Sequence, residues 1–157
     1  MMCVDAILGR TLKLAACAGL AAIFVLVFAN VVTRTLQIPG IVWFDEVVQG
    51  LFAWTVFLGA AALWRDDDHF QVDWLRFALP PAQARILRIL TTLLGLAFMV
   101  IMTRYGLALT LKARALTPIL DIPTSLLYAA IPVSGAIMAA YSAVRLFRLL
   151  TTRRNTR

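Results

Sequence analysis

Three groups of residues in this 157-residue chain have types and spacings that could do chemistry. The first is the run Asp66-Asp67-Asp68-His69 with Asp73, in which His69 and Asp73 stand four residues apart. On a helix that spacing puts both on one face. Such a set could hold a metal ion, but one histidine with carboxylates at a solvated edge more simply forms a hydrogen-bonded brace. The second group is the acidic pair Asp45 and Glu46, preceded by Trp43. The third is the scattered set Arg34, Arg104 and Asp121. None of these has a serine or threonine nucleophile with a base nearby in the sequence, and no glycine-rich loop is present to cradle a phosphate. No catalytic site, metal or cofactor is expected, and the chain does not read as an enzyme.

The elements that must position these residues are membrane spans. The chain is 62% hydrophobic, with a mean hydropathy of +0.86, far above a soluble domain in which roughly half the residues are apolar. A chain of this length makes one domain, residues 1–157. Its net charge of +7 does not indicate nucleic acid, because the basic residues lie between and after the apolar runs without interleaved aromatics. The two cysteines, Cys3 and Cys17, have no CxxC spacing and support neither a zinc site nor a disulfide framework. With His69 as the single histidine, the paired axial ligands of a membrane cytochrome b are also excluded.

Four spans are expected, at about 14–33, 46–64, 86–111 and 122–146. A span needs about 20 apolar residues. Leu14 to Thr33 is uncharged and longer than a signal-peptide core, and the apolar run follows Cys17 instead of preceding it, so a retained span is expected. The second span, Val47 to Trp64, is fenced by Asp45 and Glu46 at its start and by Arg65 to Asp73 after its end. Carboxylates suit a helix start, where they face unpaired N–H groups and the positive end of the dipole. Phe70, Trp74, Phe77 and Ala78 then fall at helical spacing, which predicts a short helix lying in the interface. Pro81 suits the first position of the third helix, which reaches an adequate length only if it continues through Arg104 to Leu111. In the fourth, Asp121 is expected to cap, Pro123 to lie in the first turn, and Pro132 to bend the helix.

Positive charge sets the orientation. The head, the middle connection and the tail hold eleven Lys and Arg, against four in the other two connections, so both termini are expected in the cytoplasm. That topology gathers Arg34, Asp45, Glu46, Arg104 and Asp121 at the non-cytoplasmic ends, either as an ion-pair network or simply solvated. No acidic residue lies mid-span, which argues against a proton or ion relay. Gly59-Ala60-Ala61-Ala62 offers a surface for close helix approach, to another subunit or inside this chain. Trp43, Trp54, Trp64 and Trp74, with Phe52 and Phe57, give the second helix and its flanks bulk suited to docking or to anchoring at the interface.

From about residue 20 to 148 the chain resembles the small membrane subunit of tripartite ATP-independent periplasmic (TRAP) transporters, the DctQ-like family. The resemblance rests on Arg34 after the first span, then Trp43 with Asp45 and Glu46 opening the second. That span ends in Phe57-Leu58-Gly59-Ala60-Ala61 and is followed by Arg65, His69 and Asp73. Leu79-Pro80 with Arg85, Ile122-Pro123 and Tyr128-Ala129-Ala130-Ile131-Pro132 complete it. Thr35 departs from the pattern where an aromatic commonly follows the arginine, and Asp66 to Asp68 replace a stretch that often contains glycine.

The resemblance implies an all-α, four-helix scaffold in the bacterial inner membrane. It would support a large multi-span subunit that carries the substrate and sodium sites, supplied with an organic anion by a periplasmic binding protein. Membrane lipids would be its other contacts. Arg34, Trp43, Asp45, Glu46, Gly59, His69, Asp73 and Arg104 would then brace helices or touch the partner, and none would bind substrate. Two other classes stay open at this point: a self-contained oligomeric transporter or channel, and a membrane anchor for a redox enzyme.

Overall fold

A computed structural model of the chain describes residues 2–38, 42–65 and 81–151. Among these, the chain is helical, with helices α1 (Met2–Thr35), α2 (Phe44–Arg65), α3 (Pro81–Lys112), α4 (Thr124–Tyr128) and α5 (Ala130–Thr151). Four segments are long and apolar enough to cross a bilayer: Ile7–Thr35, Phe44–Arg65, Ile86–Lys112 and Thr124–Phe147. In hydrocarbon a spanning segment must satisfy its own backbone, which an uninterrupted helix does. The expected interfacial helix over 70–78, and with it His69 and Asp73, lies outside the described residues.

Local sequence explains where the helices start and break. Pro81 opens α3, where its missing N–H costs nothing, and α3 runs unbroken past Arg104. Pro132 has no N–H to offer the Tyr128 carbonyl, and the helical path is interrupted just there, at Ala129 between α4 and α5. Two expectations about this start are corrected. Pro123 occupies the N-cap position and not the first turn, with no side-chain capping bond. Asp121 does not cap; it adopts φ 52°, a left-handed turn conformation that Asp tolerates better than most residues.

The spans form an open row and not a closed bundle. Among the described residues α1 packs on α2, α2 on α5 and α5 on α3, while the short α4 touches α2, α3 and α5. Between α1 and α2 the close approach depends on small residues: Thr55 lies directly over Gly19, and Gly59 faces Ala16. Between α3 and α5, Ile131 and Pro132 lie over Gly106 in the same way. Bilayer helices gain little from burial against one another, because lipid is as apolar as leucine. Close packing and interhelical hydrogen bonds must supply the cohesion instead.

The core is where three helices converge. Ala61 of α2, Met99 of α3 and Met138 of α5 form its buried centre, with Ala60, Trp64, Met102 and Ile137 packed around them. Ala61 is fully buried and Ala62 nearly so. The Gly59-to-Ala62 segment is therefore used for packing inside this chain. Trp64 also lies over Gly95 of α3 and donates its indole N–H to the Ser142 hydroxyl of α5 at 2.8 Å.

Ala61→Leu should overpack this centre and destabilise the chain by about 1–3 kcal/mol. Leu63→Ala, two residues on at an exposed position, should leave the denaturation midpoint in detergent nearly unchanged. Ser142→Ala removes the acceptor of the Trp64 N–H while leaving the indole in place, and should cost about 0.6 kcal/mol, the average for such bonds in membranes.

Candidate functional site

The polar contacts of the described residues concentrate at the end of the row where α2 begins. The link from α3 to α4 folds back on itself there. Thr117 N–H donates to the Ile122 carbonyl at 2.9 Å, and Ile122 N–H donates to the Thr117 hydroxyl oxygen at 3.1 Å. Below this, Thr124 donates both its N–H, at 3.0 Å, and its hydroxyl, at 2.9 Å, to the Ala115 carbonyl. The reversal between them, Pro118 to Asp121, turns its backbone N–H groups outward, helped by the left-handed Asp121.

Glu46 takes up those N–H groups. Its Oε1 accepts from Ile119 N–H at 2.8 Å and its Oε2 from Leu120 N–H at 3.0 Å. The Thr117 hydroxyl lies beside the same carboxylate. Both oxygens of one side chain thus clamp two successive amides of a loop more than seventy residues away. Bonds of this kind, from neutral N–H to an ionised carboxylate, are stronger than amide–carbonyl bonds. They also satisfy donors that no helix or strand would pair. About two helical turns further in, the Trp54 indole N–H donates to the Leu126 carbonyl of α4 at 3.1 Å. With Trp64 on Ser142 at the other end, α2 is fastened to the α3–α5 unit at three heights.

The other expected charges among the described residues do not bond Glu46. Arg34, in the last turn of α1, Asp45, in the first turn of α2, and Arg104 and Asp121 are all exposed. Trp43 precedes α2, is 40% exposed, and contributes its carbonyl to Val47 N–H at 3.3 Å. Gly59 sits at the α1 contact already described. Glu46 alone of the end charges meets the loop, and it does so through amides and not through arginine.

Thr117, Trp54, Leu126, Trp64 and Ser142 complete the arrangement and were not singled out as partners from sequence. Their roles depend on backbone groups, which carry no residue-type signature, or on pairings across 70 to 80 residues. Asp121 and Pro123 did mark the start of the next helix, but not what the connection before it would meet.

A cavity of about 330 Å³ opens beside Glu46, between α2, the loop and α4–α5. Gln49, Ala53 and Phe57 line it from α2, and Leu127 and Ile131 line it from the other wall. Among the described residues no group of three or more His, Cys, Asp or Glu is placed to hold a metal. The Glu46 carboxylate is taken up by the loop's N–H groups and the Thr117 hydroxyl, and what the arrangement does is hold the loop.

Glu46→Ala should leave the Ile119 and Leu120 amides without their acceptor, so their hydrogen exchange should rise about tenfold. Exchange at α3 and α5 core amides should stay unchanged. Glu46→Gln, which keeps one acceptor oxygen, should fall between.

Comparison with known proteins agrees with this architecture. Residues 23–152 match the family of tripartite ATP-independent periplasmic transporters, DctQ component. Over 146 residues the chain is 30% identical to a Haemophilus influenzae protein assigned as a TRAP transporter small permease, covering 92% of this chain and 89% of that protein.

Proposed function

The chain belongs to the DctQ component family of tripartite ATP-independent periplasmic transporters, and we propose that it acts there as a membrane scaffold with no substrate site of its own. In this reading a large multi-span subunit carries the substrate, an organic anion such as a carboxylate, together with sodium. A periplasmic binding protein delivers the anion to that subunit. This chain sits in the bacterial inner membrane with both termini in the cytoplasm, as the excess of Lys and Arg in its head, middle connection and tail supports.

One observation carries the scaffold reading. Glu46, the acidic side chain nearest the apolar stretch of α2, bonds the amides of a loop in its own chain. A transport path needs ionisable or polar groups facing a passage near the middle of the membrane. Here the charged residues of the described spans stand toward the ends, and the helices form an open row without an enclosed axis. Such a row presents two broad apolar faces, which suits holding a larger neighbour in the bilayer.

Purification through a C-terminal tag in mild detergent should recover a stoichiometric membrane partner of many spans. A chain that purifies alone as a stable homo-oligomer and moves substrate in vesicles would overturn the scaffold reading. The orientation is checked separately: a C-terminal alkaline phosphatase fusion should be inactive, and a cytoplasmic reporter at the same position active.

A further inference from the structure

The cavity beside Glu46 has a shape and a charge that the scaffold role does not use. Its α2 wall is formed by Glu46, Gln49, Ala53 and Phe57, residues spaced along one face of a helix. From Glu46 to Phe57 the helix rises about 16 Å at 1.5 Å per residue. That is about half of a hydrocarbon core some 30 Å thick, the depth of one leaflet. Leu127, Tyr128 and Ile131 form the opposite wall. The groove is apolar toward its inner end and carries a carboxylate at its mouth.

Among the described residues no Lys or Arg pairs with Glu46; its bonds are to the Ile119 and Leu120 amides. An ionised carboxylate offers about four acceptor sites. The two amides and the adjacent Thr117 hydroxyl account for three. One acceptor site and the negative charge remain at the groove's opening, in the first turn of the α2 span.

We propose that this groove binds one phospholipid, its acyl chain against Ala53, Phe57, Leu127 and Ile131 and a primary-ammonium head group on Glu46. An ammonium brings both the opposite charge and N–H donors. A quaternary trimethylammonium brings the charge without donors, and an anionic head group is repelled. The site is independent of the scaffold reading, since it requires only that the chain span a membrane.

The test uses the full chain, purified with whatever accompanies it, washed free of lipid and reloaded from vesicles holding equal phosphatidylethanolamine, phosphatidylcholine and phosphatidylglycerol. Bound lipid is then counted by mass spectrometry. Phosphatidylethanolamine should be retained about threefold to fivefold over the other two, the scale of one exposed charge pair. Ala53→Phe fills the groove and should lower retention of all three. Gln49→Lys, at an exposed position, places a cation beside Glu46; it should abolish the preference and raise phosphatidylglycerol without disturbing packing. Equal retention of the three lipids by the unaltered protein would overturn the proposal. So would a preference that survives Gln49→Lys, or a photo-reactive residue at position 53 that captures another polypeptide and no lipid.

Discussion

A carboxylate bonded to two successive backbone amides is the contact on which this structure turns. A loop between two spans cannot form a ladder with a sheet, and at the membrane surface its N–H groups need acceptors. Glu46 supplies both acceptors from one side chain. Its place in the first turn of α2 adds a second benefit, because a negative charge there complements the helix dipole. The same residue therefore stabilises the start of one span and fixes the connection between two others.

Everything else on α2 extends that clamp along the membrane normal. Trp54 holds the Leu126 carbonyl close to where the fourth span is interrupted before Pro132. Trp64 reaches Ser142 past the Ala61, Met99 and Met138 core. On its other side α2 receives α1 through Gly19 and Gly59. One central helix thus joins α1 to the α3–α5 pair, and among the described residues α1 packs on no helix but α2. Cohesion that runs through a single helix leaves the outer faces open to lipid or to a neighbour.

How much of this was legible in the sequence depends on the range of the interaction. Apolar length set by bilayer thickness gave the four spans, and local backbone chemistry gave Pro81 at a helix start and the break before Pro132. Asp121 was misplaced for a local reason: its left-handed φ moves the helix start on to Thr124, beyond capping reach. Glu46 stood out by charge and position, but its partners did not, because the amides of Ile119 and Leu120 look like those of any loop. The small-residue run 59–62 was readable as a packing surface, and only the folded chain decides that Ala61 faces Met99 and Met138. His69 and Asp73, where spacing predicts a brace, lie outside the described residues.

The measurement that bears most directly on the scaffold account is the turnover of assembled transporter carrying Glu46→Ala. Complex would be purified, reconstituted, and its uptake rate divided by the amount of intact assembly. If Glu46 only clamps the loop, the yield of assembly falls while the rate per assembled complex stays within about twofold, since no interaction made only during transport has been removed. Normal assembly yield with a collapsed rate per complex would contradict the account and place Glu46 in the transport path.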